Sequence, residues 1–217
     1  MIVAIDGPAG AGKSTVALRV AKKSGFVYID TGAIYRALTL KALEENIDLR
    51  NEAALIKLSK DARLTLGNNE DGSIKIILDN RDVSEEIRSP RITQHVSDLA
   101  KIKGIRDQML HLQRRLGKAK DSVLDGRDIG TVVFPGADKK FYLDAQFPER
   151  ARRRFEELRE SGEEITLGEV ETDLRNRDYI DSTRSCAPLK KADDAIYIDT
   201  TNMTIEEVVE SVLKEIK

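Results

Sequence analysis

Residues 2–15, IVAIDGPAGAGKST, constrain the fold more than any other stretch. Ile2, Val3, Ala4 and Ile5 are apolar without alternation, the pattern of a strand buried on both faces of a parallel sheet. Gly7-Pro8-Ala9-Gly10-Ala11-Gly12-Lys13-Ser14 then matches G-x-x-x-x-G-K-S/T, and helix-forming residues follow from Thr15 to Lys23. Strand, glycine-rich turn and helix together are the context in which that pattern cradles phosphate. Gly7, Gly10 and Gly12 can take positive φ and let backbone N–H groups close on phosphate oxygens. The helix dipole points at the same anion. Lys13 is expected to reach the β- and γ-phosphates, and the Ser14 hydroxyl to ligate Mg²⁺.

Composition narrows the partners. Lysines and arginines number 36 against 38 acidic residues, a net charge of −2, so global attraction to nucleic acid or an anionic membrane is not indicated. At 217 residues the chain suits one domain with small insertions. Cys186 is the single cysteine, which excludes an intramolecular disulfide and a cysteine metal cluster. No long apolar segment or signal peptide is read, so a cytoplasmic protein is expected, and a monomer is the default.

Along the chain, strand patterns recur at 26–30, 122–126, 140–144 and 195–199, with helical stretches between them. They predict a three-layer α/β/α P-loop fold around a mainly parallel five-stranded sheet. Ile34, Leu38 and Leu43 are expected to form one apolar face of the helix opened by Thr31-Gly32. Residues 62–83 read as a small antiparallel hairpin or three-stranded sheet, with turn chemistry at Asn68-Asn69-Glu70-Asp71-Gly72. It serves either as a substrate-binding insertion or as decoration. Two helices are expected between 84 and 117, meeting near Lys103-Gly104. Thr204 and Glu207 form a capping box for a last helix whose Ile205, Val208, Val209, Val212, Leu213 and Ile216 read as core. Asp6 is read as ordering the phosphate loop, and His95 and His111 as structural.

A phosphate loop alone does not separate switches, motors and kinases. No N-K-x-D motif argues for a GTPase switch, and the chain is short for a motor. What remains is an excess of arginines in two helical arms, at 150–159 and 175–184. Phosphoryl transfer between two nucleotides needs such an excess, because several negative charges meet at one point. A phosphate monoester, with a second pKa near ~6, is already an anionic nucleophile, so no catalytic base is required. Alignment and charge neutralisation by Lys13, Mg²⁺ and arginines carry the reaction. A solvated helix face paired to Glu149, Glu156, Glu157 and Glu160 is the plainer reading of any single arginine.

The loop GPAGAGKST, DTGAIYRAL from residue 30, DGRDIGTVVFP around 126–135, the ERARRR helix start and RDYIDSTRSCAPL at 177–189 together resemble the bacterial cytidylate kinase family over essentially the whole chain. The resemblance implies phosphoryl transfer from ATP to CMP or dCMP, with Mg²⁺ as cofactor. It implies an ATP site built from Gly7, Pro8, Ala9, Gly10, Ala11, Gly12, Lys13, Ser14 and Thr15, with Arg150 over the adenine and Arg154 near the transferring phosphate. Arg36 and Arg127 would hold the CMP phosphate with Thr31 and Tyr35 beside them; Ser97, Arg106 and Asp128 would read the cytosine edge; Arg177, Asp181 and Arg184 would hold the ribose. Lys13, Arg154 and Arg177 are the expected catalytic residues. It also divides the chain into a core (about 1–35, 84–147 and 185–217), a monophosphate-binding insertion (about 36–83) and an arginine-rich helical lid (about 148–184). A kinase for another monophosphate, such as UMP or AMP, and an ATP-gated binding protein stand as the alternatives.

Overall fold

The computed structural model describes residues 1–68 and 74–216. β1 (Ile2–Asp6) runs through the phosphate loop into α1 (Lys13–Ser24), followed by β2 (Val27–Asp30), α2 (Thr31–Glu44) and α3 (Glu52–Asp61). A three-stranded antiparallel sheet follows, β3 (Leu64–Asn68), β4 (Ile74–Leu78) and β5 (Arg81–Asp82). A 3₁₀ turn (Glu86–Arg88) precedes α4 (Pro90–Ala100), α5 (Lys103–Ala119) and β6 (Ser122–Gly126). A π-helical turn (Ile129–Val133) leads to β7 (Lys139–Asp144), α6 (Phe147–Glu160), α7 (Leu167–Thr183), β8 (Ile196–Asp199) and α8 (Ile205–Ile216). The main sheet has the order β2-β6-β1-β7-β8, and every pairing in it is parallel.

That order puts the loop-bearing strand in the middle. β1 pairs β6 from Ile2↔Ser122 to Asp6↔Gly126, and β2 pairs β6 up to Asp30↔Asp125. Three acidic strand ends, Asp6, Asp30 and Asp125, therefore meet at one carboxyl edge, where open α/β sheets bind ligands. Val3, Ile5, Val123 and Phe141 bury completely between the helix layers, as their unbroken apolar runs require.

The insertion is the three-stranded sheet rather than a bare hairpin, and Ile76 and Leu78 pack into the same cluster as Val3 and Phe141. The expected turn residues Asn69, Glu70, Asp71 and Gly72 lie outside the described residues. Three expectations change. α3 has no counterpart in the sequence reading, although Asn51 caps it by accepting from Ala54 N. α2 is buried on two sides: Ala33, Ala37 and Leu40 face the main core, while Ile34, Tyr35, Leu38 and Ala42 face a second cluster with Leu55, Leu99 and Ile105. Leu43 packs against the first cluster and not with Ile34 and Leu38. In α8, Ile205 at the first helical position is exposed, whereas Val208, Val209, Val212 and Leu213 are core. The capping box forms as read, with Thr204 and Glu207 exchanging hydrogen bonds.

Candidate active site

Gly7 starts the phosphate loop where β1 ends, and an added Cβ would sit 1.9 Å from the Leu143 carbonyl oxygen of β7. Only glycine lets the chain turn there. The loop's end is equally local in origin: Gly12, with φ of 81°, gives way at once to α1. Lys13 is buried beside it and donates to Pro8 O at 2.6 Å. Burial, with Arg127 nearby, pushes the Lys13 ammonium well down from the ordinary lysine range, while Asp125 pulls the other way.

The Ser14 hydroxyl donates to Asp125 Oδ2 at 2.7 Å, and Tyr28 OH donates to Asp125 Oδ1 at 2.8 Å. Burial, then the neighbouring charge of Asp30, raises the Asp125 carboxyl to about 6. Asp125, bonded to Ser14 and lining the cavity, is the chief candidate residue the sequence reading missed. Its signal was an acidic residue closing an apolar strand, but only the β2-β6-β1 order sets it beside Ser14. Asp6 does something else than expected. Its carboxylate accepts from Ile129 N at 2.8 Å and Gly130 N at 2.7 Å, and so anchors the turn after Arg127 and Asp128 instead of the phosphate loop.

Beyond Lys13 the loop opens into a cavity of about 340 Å³. Its wall carries Lys13 and the arginines 36, 88, 106, 127, 154, 177 and 184, against Asp30, Asp125, Asp128, Glu157 and Asp181. Eight cationic groups face five carboxylates, so the cavity favours an anion. Arg36 is held by Asp30 at 2.6 Å, and Thr31 Oγ1 donates to Asp125 O at 2.7 Å. Arg127 Nε donates to Asp181 Oδ2 at 2.8 Å, and Arg184 lies 3.4 Å from Asp181 Oδ1 and 3.5 Å from Asp128 Oδ1. Arg106 donates to Asp128 and, at 3.1 Å, to Ala100 O, with its guanidinium 5.4 Å from the Tyr35 ring centre.

Among the described residues, the Nε atoms of Arg36 and Arg177 and Nη2 of Arg184 are buried and make no hydrogen bond. Buried donors without partners are costly, and these three belong to side chains of one cavity wall. Burial and the neighbouring Arg127 lower the Arg177 guanidinium to about 10. An anion entering the cavity would relieve the crowded positive charge.

The predicted residues are thus brought together in the cavity wall, apart from Gly7, Pro8 and Ala11 of the phosphate loop, which do not line it, and Arg150. Thr31, Tyr35, Arg36, Ser97, Arg106, Arg127, Asp128, Arg154, Arg177, Asp181 and Arg184 all line the cavity with Ala9, Gly10, Gly12, Lys13, Ser14 and Thr15. Arg150 does not. It lies beneath the loop, donating to Ala9 O at 2.9 Å, Ala145 O at 3.0 Å and Asp178 Oδ2 at 2.6 Å, so its guanidinium is committed to protein acceptors. Thr93, Val96 and Ala100 of α4 also line the cavity and were not anticipated, because α4 reads as an ordinary amphipathic helix; Arg88, at the end of the 3₁₀ turn before it, was likewise not anticipated.

A central parallel strand delivering a phosphate loop into a cavity with a second, arginine-walled anion pocket is the arrangement of a P-loop phosphotransferase. A family model described as "Cytidylate kinase" matches residues 3–217. The chain is 50% identical over 215 residues to the cytidylate kinase of Caldanaerobacter subterraneus subsp. tengcongensis, covering 99% of this chain and 94% of that protein. It is 51% identical over 217 residues to the cytidylate kinase of Fusobacterium nucleatum, covering 100% and 97%. A solved structure of an uncharacterized protein from Eubacterium ventriosum shares the fold, with a TM-score of 0.53 at 11% identity over 100% of this chain and 97% of that one. The chain belongs to the cytidylate kinase family, and it is a nucleoside monophosphate kinase.

Proposed function

We propose that the chain transfers the γ-phosphoryl group of ATP to CMP or dCMP, giving ADP and CDP or dCDP. The observation that carries this reading is the single cavity in which the phosphate loop and the arginine-walled pocket meet. A nucleotide-gated switch needs no second anion pocket; an acceptor monophosphate does.

In this reading the loop from Gly7 to Thr15 encloses the ATP phosphates, and Lys13 turns from Pro8 O toward the β- and γ-oxygens. The incoming charge restores the ammonium that burial disfavours. Ser14 and Asp125 fit Mg²⁺, which takes oxygen donors, keeps several waters and shares substrate phosphates; when bound, it would neutralise charge on the donor phosphates. Among the described residues no group of three or more His, Cys, Asp and Glu side chains could hold a metal alone, so the phosphates complete the ligand set. Arg36 and Arg127 hold the acceptor phosphate, already anionic with a second pKa near ~6, so alignment replaces base catalysis. Arg154 and Arg177 face the charge spread over the transferring group.

At the far end, Ser97, Arg106 and Asp128 read the base. Cytosine offers a donor at N4 where uracil offers an acceptor, and a carboxylate prefers the former. Arg177, Asp181 and Arg184 hold the sugar. Residues 36–83 act as the acceptor-side insertion, 148–184 as the lid and the rest as the core. A monomer is the default reading, and the free thiol of Cys186 suits a cytoplasmic setting. No helix of the described residues is long and apolar enough to cross a membrane.

The test is ADP release from Mg·ATP with CMP, dCMP, UMP, AMP or GMP supplied singly. Strong turnover with CMP and dCMP alone is expected. Preference for another monophosphate would overturn the base reading, and indifference to every acceptor would overturn the kinase reading.

A further inference from the structure

At the crest of the phosphate loop, helices α6 and α7 hold the single residue Ala9 by both its backbone N–H and its backbone carbonyl. Ala9 O accepts from Arg150 Nη1 at 2.9 Å, and Ala9 N donates to Asp178 Oδ1 at 3.3 Å. Asp178 Oδ2 in turn accepts from the same Arg150 nitrogen at 2.6 Å. The Ala9 methyl sits in an apolar cluster with Ala151 and Leu158 of α6 and Val170 and Leu174 of α7. Gly10 completes the contact: an added Cβ would lie 2.9 Å from Arg150 O, and its φ is +77°. The crest of the loop therefore rests on α6 and is pinned to α7 by one carboxylate.

We infer that Asp178, acting through Arg150, is a positioning residue that fixes the crest of the phosphate loop and the rotation of α7, and so aims the adjacent Arg177 into the cavity. The inference rests on the kinase reading above. Two features separate it from an ordinary lid ion pair. Arg150 is 9% exposed in its side chain and makes a further bond to Ala145 O, so the pair has little freedom to re-form elsewhere. Neither Asp178 nor Arg150 lines the cavity, whereas Arg177 and Asp181, one residue before and one turn after Asp178, both do. A carboxylate outside the cavity does not compete with nucleotide phosphates for space; it holds the frame that meets them. Around it, the Arg150 and Arg175 guanidiniums lie 5.4 Å and 4.0 Å from the Phe147 ring centre, and among the described residues Asp178 is the one carboxylate hydrogen-bonded to Arg150.

The test compares Asp178→Asn, Arg150→Met and the double variant by calorimetric titration with Mg·ADP alone and by steady-state turnover with Mg·ATP and CMP. Loss of a charge-assisted bond predicts about tenfold weaker ADP binding and about tenfold lower kcat in Asp178→Asn, with KM for CMP changed less than about twofold. The double variant should fall no further than the worse single one, because both remove one device. Asp178→Glu, which keeps the charge one methylene farther out, should lie between wild type and Asn in both measurements, and it carries the test if the Asn variant fails to fold. Wild-type ADP affinity and kcat in Asp178→Asn, tighter ADP binding, additive losses, or a loss confined to KM for CMP would each overturn the inference. If the wild-type chain does not phosphorylate CMP, the kinase reading fails, while the ADP titration still decides whether Asp178 organises the loop.

Discussion

Asp128→Asn keeps the shape of the proposed base subsite and removes its charge, so its effects can be worked out from the structure. Asp128 Oδ2 accepts from Arg106, and Oδ1 faces Arg184 at 3.5 Å; Asp128 and Arg106 side chains are each 7% exposed and Arg184's is 3%. The amide must give up one charge-assisted bond or turn its NH₂ toward a guanidinium. A hydrogen bond to a charged group contributes about 1.5–3 kcal/mol. If that is lost from CMP recognition, kcat/KM for CMP should fall by ~10- to 150-fold, at ~1.4 kcal/mol per tenfold. UMP should fall less or improve, because an amide can donate to uracil O4 where a carboxylate repels it. The ADP affinity should hold, since Lys13 bonds to Pro8 O and Ser14 to Asp125, and neither bonds to Asp128. The assay is kcat/KM for CMP and UMP on wild type and variant, with ADP binding as the control. Equal losses for the two monophosphates, or a CMP value within about twofold of wild type, would refute the argument that the Asp128 charge reads N4.

Two further outcomes concern the acidic strand ends. Asp125→Asn should raise the Mg²⁺ concentration for half-maximal rate by at least about tenfold with KM for CMP little changed, and chelation should stop wild-type turnover; an unaltered Mg²⁺ requirement would remove Asp125 from the metal's ligand set. Asp6 governs a stability effect: burial raises its carboxyl to about 6 from the 3.8 of an unfolded chain, so the folded state holds the proton more tightly. Its contribution is present below pH ~4 and is lost as pH rises through ~6, to a limit of about 3 kcal/mol. Stability of wild type relative to Asp6→Asn, measured by denaturant unfolding at several pH values, should therefore fall across that window, and a flat difference would contradict the assignment.

How much of this was legible in the chain follows from the range of the interactions. The phosphate loop was readable because its chemistry lies within eight consecutive residues, Gly7 to Ser14, whose spacing is itself the site. The five strands, helices α6 and α7 and the Thr204–Glu207 capping box were readable for the same reason, since periodicity and caps act over one or two turns. α3 escaped because its short apolar set, Leu55 and Leu58, shows a helix face only once α2 and α5 supply something to cover it.

Sequence by itself therefore determined that this chain carries a phosphate loop in an α/β sheet, with arginines to meet an anion. Tertiary structure alone decided which carboxylates those groups meet. Asp125 reaches Ser14 across 111 residues, Asp6 reaches Ile129 across 123, and Arg127 finds Asp181 across 54. The placement of Arg150 shows the limit most clearly: the family resemblance implied a nucleotide contact, but the packing of α6 and α7 on Ala9 turned its guanidinium to the loop backbone and Asp178. Local pattern fixes which face of an element is apolar. Strand order and helix packing fix what each polar group meets, because a buried charge is costly without a partner and the available partners are groups that only the folded chain brings near.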